Sequence, residues 1–349
     1  MSAMPQHCRQ WVLARHPKGP LREEDFAMRC VPIEELGDGE ALARTTWLSF
    51  EPAMRGWMDA SPDRFGRTAG VPAPGYALSI GVGDVVLGPA AAEVVASRHP
   101  DLREGDLVRG LLGWQDYIRI GPADPVQKLD PTVDVRLALG VLGGNGLTAY
   151  AGLVRVAQVR AGETVVVSGA AGAVGSVGGQ IARLQGCRVI GIAGGAEKCA
   201  WLLDDCRFDE CIDYKAADVA PELRRLCPDA IDVYFDNVGG PMLEAVIANM
   251  AVHGRIVLCG QVADYDTDGG VAGPRNLFHL VARRVRMEGF LLVDHVAHLG
   301  EATAELRRWV ESGEIAYRLD VQEGLENAPR AFRRLFTGEN RGKQLLRVS

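Results

Sequence analysis

Several features that mark other protein classes are missing from this 349-residue chain. No two of its eight cysteines, at positions 8, 30, 187, 199, 206, 211, 227 and 259, form a Cys-x-x-Cys pair. That removes a zinc ribbon and a thioredoxin-type dithiol, and leaves thiols that read as reduced, mostly buried small apolar residues. No apolar run approaches the ~20 residues that a membrane span requires, and the start MSAMPQHC lacks the apolar core of a signal peptide, so a cytoplasmic location is expected. Positive charge is in short supply. Lys and Arg number 38 against 45 Asp and Glu, a formal net charge of −7, which is the wrong sign for a surface that collects nucleic-acid phosphates. The arginines at 283, 284 and 286 have apolar neighbours and read as a solvated helix end. No Gly-x-Ser-x-Gly occurs, so the nucleophile turn of a serine hydrolase is missing, and there is no internal repeat or low-complexity tract.

What is present is the balance of an ordinary globular enzyme, with 47% hydrophobic and 24% charged residues. The length is more than one compact core usually organises, so two domains are expected. The first ~130 residues read as β-rich, because short apolar runs such as Gln10–Ala14, Ala92–Ala96 and Leu107–Gly110 alternate with Gly, Pro and Asp turns. Ser61–Gly75 (SPDRFGRTAGVPAPG) reads as a long loop. From Ala138 strands and helices alternate: Val165–Val167, a helix with Val174, Val177, Ile181 and Leu184 on one face, then Arg188–Ile192. Ile231–Phe235, a helix over Pro241–Met250, Arg255–Leu258 and Glu288–Val293 continue the pattern. Such alternation predicts an α/β fold with a doubly wound parallel sheet. The tail reads as a helix over Glu301–Glu311, a strand near Ala316–Leu319, a helix over Leu325–Phe336 and a last strand, Lys343–Val348.

Between the first strand and helix of that alternation lies Gly169-Ala-Ala-Gly172-Ala-Val-Gly175. A glycine turn there lets backbone approach a pyrophosphate, and the helix start offers N–H groups and partial positive charge. The spacing departs from strict G-x-G-x-x-G, so its placement in a βαβ unit carries the reading; the alternative is a tight turn without a ligand. The next strand is followed by Ala193-Gly-Gly-Ala-Glu197-Lys198, with no carboxylate at the strand end to accept ribose hydroxyls. Lys198 is placed to meet a 2′-phosphate as a point charge, which favours NADPH over NADH. Glu197 falls in the following helix turn.

The stretches LSFEPAMRGWM (Leu48–Met58), GWQDY (Gly113–Tyr117), LTAYAGL (Leu147–Leu153), SGAAGAVGSVGGQIA (Ser168–Ala182), DNVGG (Asp236–Gly240), HGRIVLCG (His253–Gly260), RMEGF (Arg286–Phe290), EGLENAP (Glu323–Pro329) and NRGKQ (Asn340–Gln344) together resemble one group of zinc-independent medium-chain dehydrogenase/reductases. That group comprises the prostaglandin reductases, plant double-bond reductases and curcumin-reductase-like enzymes. The resemblance implies a GroES-like β-rich substrate domain over 1–135, a Rossmann domain over 136–300, and a segment, 301–349, returning to the first. It implies that Gly172, Ala173, Val174 and Gly175 lie under the pyrophosphate and that Lys198 and Tyr214 meet the 2′-phosphate. It further implies cofactor contacts for Asn237, Cys259, Gly260, Tyr265, Phe290, Leu291, Leu292 and Asn340, and a homodimer formed through the Rossmann sheet edge. For Tyr214 and Phe290 simple packing is the competing reading, and for Asn237 and Asn340 a turn role.

The implied reaction is NADPH-dependent reduction of the C=C bond of an α,β-unsaturated ketone or aldehyde, a small-molecule substrate. Hydride arriving at the β-carbon leaves negative charge on the carbonyl oxygen, so a positioned donor is needed there. Tyr265 is the candidate, with the cofactor's ribose hydroxyl as the other, and a loop aromatic that only packs on the cofactor is the competing reading for Tyr265. The zinc-dependent relatives need a Gly-His-Glu and cysteine ligands; none of the seven histidines stands in that context, so no metal is expected. Ala53 and Ala282 stand where relatives usually carry tyrosine, and the Gly81–Ala96 stretch follows the group's pattern only loosely. These departures bear on the substrate and leave open quinone reduction, metal-free alcohol oxidation, or cofactor binding without catalysis.

Overall fold

The computed structural model describes residues 5–60, 78–268 and 272–348. Its strands, in chain order, begin with β1 (His7–Leu13), β2 (Phe26–Pro32), β3 (Ala41–Ser49), β4 (Ala90–Ser97), β5 (Leu107–Gly110), β6 (Tyr117–Ile120) and β7 (Gln127–Lys128). There follow β8 (Thr164–Ser168), β9 (Arg188–Ala193), β10 (Glu210–Asp213), β11 (Ile231–Asp236), β12 (Met250–Leu258) and β13 (Arg286–Gly289), then β14 (Leu319–Glu323) and β15 (Lys343–Arg347). The chain forms two compact units, one of residues 1–139, 320–339 and 344–349, the other of residues 140–319 and 340–343.

The first unit is β-rich. Its main sheet runs β14-β15-β3-β4-β5-β7, with β6 also paired to β3, and β1 and β2 form a separate antiparallel pair. Trp114, fully buried, lies 5.4–5.5 Å from the rings of Phe26, Phe50 and Phe332, so the late helix Ala328–Thr337 closes the same core as the early strands. Aromatic rings at this spacing bury large apolar areas in one place. The Ser61–Gly75 stretch lies outside the described residues.

The second unit holds a six-stranded parallel sheet in the order β10-β9-β8-β11-β12-β13. Numbered from its own first strand, that order is 3-2-1-4-5-6, the Rossmann arrangement, and the chain reverses direction of travel between β8 and β11. Val165, Val166 and Val167 in β8 and Val233, Tyr234 and Phe235 in β11 are wholly buried, as central parallel strands covered on both faces must be. The helix Ala173–Leu184 packs closely: a Cβ on Gly178 would stand 3.1 Å from Phe235, and one on Gly179 only 2.0 Å from Phe208. Val177 and Ile181 are buried on it, while Val174 and Leu184 at its two ends are half-buried.

Four elements differ from the sequence expectation. The helix expected over Pro241–Met250 is Gly240–Ile247, because Met250 is already paired with Ile231 at the start of β12. The strand expected over Glu288–Val293 ends at Gly289, opposite Leu258 where β12 runs out, and Leu292–His298 forms a 3-10 turn. Near Ala316 the backbone bonds to a side chain instead of a strand: Ala316 N–H donates to Gln180 Oε1 (2.7 Å) and its carbonyl accepts from Gln180 Nε2 (2.8 Å), so β14 starts later, at Leu319. Leu325–Asn327 is a 3-10 turn ahead of the helix proper, whose start carries Pro329.

Candidate functional site

The six parallel strands put their carboxyl ends along one edge, and ligands of such sheets bind there, outside the reversal point. Almost every candidate residue follows one of those ends. Gly172–Gly175 come after β8, Lys198 after β9, Tyr214 after β10, Asn237 after β11, Cys259, Gly260 and Tyr265 after β12, and Phe290–Leu292 after β13. Asn340 arrives by a different route, described below.

After Ser168 the chain turns through Gly169, which adopts the left-handed φ of +56°, and Gly172 donates its N–H to the Gly169 carbonyl at 2.9 Å. A Cβ on Gly175 would meet that carbonyl oxygen at 2.4 Å, so only glycine allows this approach. Gly172 stands at the N-cap of the 12-residue helix and supplies no side-chain cap. The N–H groups of Ala173, Val174 and Gly175 therefore have no carbonyl of their own helix to meet. An open, uncapped helix start beside a glycine turn fits the pyrophosphate of a dinucleotide. Gly342 forms a parallel bridge with Gly172, and Asn340 Nδ2 donates to the Gly342 carbonyl at 3.1 Å, which brings Asn340 close to the glycine turn.

At the end of β11 a buried network fixes the neighbouring turn. Asp236 is fully buried, and its Oδ1 accepts from Ser168 Oγ (2.9 Å), Tyr234 hydroxyl (2.8 Å) and the N–H groups of Val238 and Gly239 (3.0 and 2.9 Å). Burial, reinforced by Asp236, raises the Tyr234 phenol well above its ordinary pKa, so it stays a donor. Ser168 Oγ in turn accepts the Asn237 N–H (2.9 Å), and Asn237 Nδ2 donates to the Ser168 carbonyl (2.8 Å). The Asp236 carbonyl accepts from Cys259 and Gly260 N–H at 2.8 and 3.1 Å, which ties in the loop after β12. Desolvation beside Asp236 pushes the Cys259 thiol up to about 12, so it lines the loop as a neutral group. Tyr265 closes the short helix Val262–Tyr265, and its phenolic oxygen accepts from the Gln261 N–H at 3.3 Å.

The corner after β9 carries no carboxylate at the strand end. Tyr214 lies half-exposed across Gly194, where a Cβ would come within 2.7 Å of its hydroxyl oxygen, so its ring is not a core residue. Gly195, at φ +102°, donates its N–H to Asp213 Oδ1 at 2.8 Å and leads into the helix Ala196–Asp204, whose first turn holds Glu197 and Lys198. Glu197 lies inside the helix, as its position in the sequence predicts, and is engaged by Arg341 and Arg318 at 2.8 and 3.4 Å. Phe290 Cζ sits 3.0 Å from where a Cβ on Gly152 would stand, and Leu291 and Leu292 lead half-buried into the 3-10 turn.

Residues 9–129 match the family described as the N-terminal domain of oxidoreductase, and residues 173–310 the family described as zinc-binding dehydrogenase. The NADPH-dependent curcumin reductase of Escherichia coli is 40% identical over 100% of this chain and 99% of its own length. The chain is a medium-chain dehydrogenase/reductase. Within that family it belongs to the group of the curcumin, alkenal and prostaglandin reductases. The NADP⁺-dependent 2-alkenal reductase of Nicotiana tabacum is 38% identical, covering 98% of this chain and 97% of the relative. The crystal structure of CurA in complex with NADPH from Vibrio vulnificus, 40% identical, superposes with a TM-score of 0.89 over 98% of this chain and 99% of that one. GroES-like and Rossmann folds are the architecture of this family, and they are the two units seen here.

Among the described residues of this dehydrogenase/reductase, no group of three or more His, Cys, Asp or Glu is placed to hold a metal ion. No described helix is long and apolar enough to cross a membrane. Ala53 stands half-buried at the start of the short helix Met54–Trp57. Ala282 is exposed on the helix Phe278–Arg283, next in the chain to exposed Val281. Four residues of the site escaped the sequence reading. Ser168 and Asp236 stand inside the quoted motifs, directly before Gly169 and Asn237, and a buried Ser-Asp pair at adjacent strand ends is the signal that was there to find. Arg341 too stands inside a quoted motif, directly after Asn340, whereas Arg318 has no such signal, because its pairing with the 340–343 segment is what places it.

Proposed function

We propose that this protein reduces the C=C bond of α,β-unsaturated ketones or aldehydes with NADPH, at the β-carbon and without a metal. The observation that carries the reading is the uncapped glycine turn at the sheet's reversal point, in a chain alike end to end to an NADPH-dependent curcumin reductase and a 2-alkenal reductase. When bound, NADPH supplies the hydride. The N–H groups at Ala173–Gly175 hold the pyrophosphate, and Lys198 and Tyr214 take the 2′-phosphate. Asn237, Cys259, Gly260 and Asn340 border the rest of the dinucleotide, with Phe290, Leu291 and Leu292 as its apolar wall. Tyr265 is the donor to the substrate's carbonyl oxygen. The Gln261 N–H bonded to its oxygen polarises the hydroxyl and strengthens it as a donor.

The test is NADPH consumption with enones, enals, quinones and allylic alcohols, followed by product analysis. Saturated ketones or aldehydes are the expected products; turnover confined to quinones would overturn the reading.

We also propose a homodimer through the edge of the parallel sheet. Among the described residues β13 pairs only with β12, its residues are exposed, and the helix just before it carries exposed apolar side chains, Phe278 79% and Val281 67% accessible. An unpaired edge strand beside such a patch is a template for a second copy, and twofold pairing of like edges closes it. A cytoplasmic location is part of the same proposal.

A further inference from the structure

The corner after β9 holds more positive charge than Lys198 alone. Gly342 is bridged to Gly172 of the phosphate turn, and Lys343 N–H donates to the Arg318 carbonyl at 2.8 Å. Gly342 sits at φ +80°, and a Cβ there would meet the Arg318 carbonyl oxygen at 2.3 Å, so the backbone directly after Arg341 is held tightly. From that anchored segment Arg341 reaches Glu197 Oε2 at 2.8 Å, and Arg318 reaches Glu197 Oε1 at 3.4 Å. Glu197 is the residue before Lys198 in the first turn of the same helix. Two guanidinium groups are thus gathered by one carboxylate, on the residue directly before Lys198 in the chain.

All three side chains of this cluster are partly exposed, with Arg341 56% and Glu197 53% accessible. Ion pairs of that kind are weak and readily exchanged. A phosphate monoester carries nearly twice the charge of a carboxylate and offers three acceptor oxygens to a planar guanidinium fork. We propose that Arg341, with Arg318 behind it, is a second reader of the 2′-phosphate. Glu197 holds Arg341 in the corner and competes for it, so that the phosphate of NADPH displaces the carboxylate while NADH leaves the pair closed. Glu197 therefore sets how strongly the protein prefers NADPH. The inference rests on Lys198 and Tyr214 marking the 2′-phosphate corner.

The experiment is equilibrium binding of NADPH and NADH, by cofactor fluorescence or calorimetry, to the full-length wild type and to Arg341→Ala, Glu197→Gln and Lys198→Ala. One charge-assisted hydrogen-bonded contact implies that Arg341→Ala weakens NADPH about 10- to 100-fold while NADH moves less than about threefold. Glu197→Gln should tighten NADPH severalfold and leave NADH unaltered. If Lys198→Ala collapses the NADPH preference but Arg341→Ala does not, the proposal falls and the corner stands. If neither variant changes the preference, both fall. Equal weakening of the two cofactors by Arg341→Ala would mark it as a support of the 340–343 segment only, and would also overturn the proposal.

Discussion

Asn237 and Ser168 are joined twice, through Asn237 Nδ2 to the Ser168 carbonyl at 2.8 Å and through Asn237 N–H to Ser168 Oγ at 2.9 Å. The pair stitches the ends of β11 and β8 together at the sheet's reversal point, the place proposed for the dinucleotide. Ser168→Ala removes the acceptor for Asn237 and one donor to buried Asp236, and should cost about 1–3 kcal/mol of stability. It should also weaken NADPH and NADH alike, because it disturbs the turn and not the phosphate corner. Urea unfolding and cofactor titration measure the two effects; a variant with wild-type stability would contradict the network.

Gly175→Ala tests the phosphate turn. Its Cβ would stand 2.4 Å from the Gly169 carbonyl oxygen, so the turn must open and the helix start must move. We expect a folded protein by circular dichroism with NADPH affinity reduced more than about 100-fold, since the pyrophosphate loses several N–H contacts at once. Normal binding would show that the turn holds no phosphate.

Much of this was legible in the sequence, and the reasons are local. The valines of β8, the spaced glycines and the apolar face of Ala173–Leu184 lie within twenty residues of one another, so periodicity and turn chemistry suffice to see a βαβ unit. What escaped depends on distant partners. β13 stops at Gly289 because β12 ends at Leu258, and Ala316 is kept from β14 by Gln180, 136 residues away. Arg318 meets Glu197, 121 residues away in the chain, again a long-range event with no trace in spacing.

Tyr265→Phe isolates the proposed donor. Removing the hydroxyl should lower kcat by about 100- to 1000-fold, the range for one oxyanion donor, with cofactor affinity close to wild type. An unchanged rate would pass the role to the cofactor's ribose hydroxyl.

Alkaline pH should unfold the protein through its buried thiols. Burial pushes Cys8, Cys187 and Cys227 up to about 11 and Cys206 up to about 12, from an ordinary value near 9.0. Between pH 9 and 11 the unfolded chain has lost these protons and the folded chain keeps them, so stability is full below pH 9 and falls as pH rises. The slope is about 1.4 kcal/mol per pH unit for each thiol. Urea midpoints at pH 8, 9, 10 and 10.5 check it, and Cys206→Ala should flatten the fall; midpoints level to pH 10.5 would contradict the burial.

For assembly, Val281→Glu places a charge in the exposed patch beside β13. Light scattering should show a dimer for the wild type and a monomer for the variant, with thermal stability of the monomer otherwise little changed. A wild type that runs as a monomer would refute the edge pairing.

The central claim is the destination of the hydride. The direct measurement is turnover of an α,β-unsaturated ketone with NADPH deuterated at C4, with the label located in the product by NMR and mass spectrometry. Deuterium at the β-carbon of a saturated ketone is the predicted result. Deuterium on the carbinol carbon of an allylic alcohol, with the C=C bond intact, would contradict it.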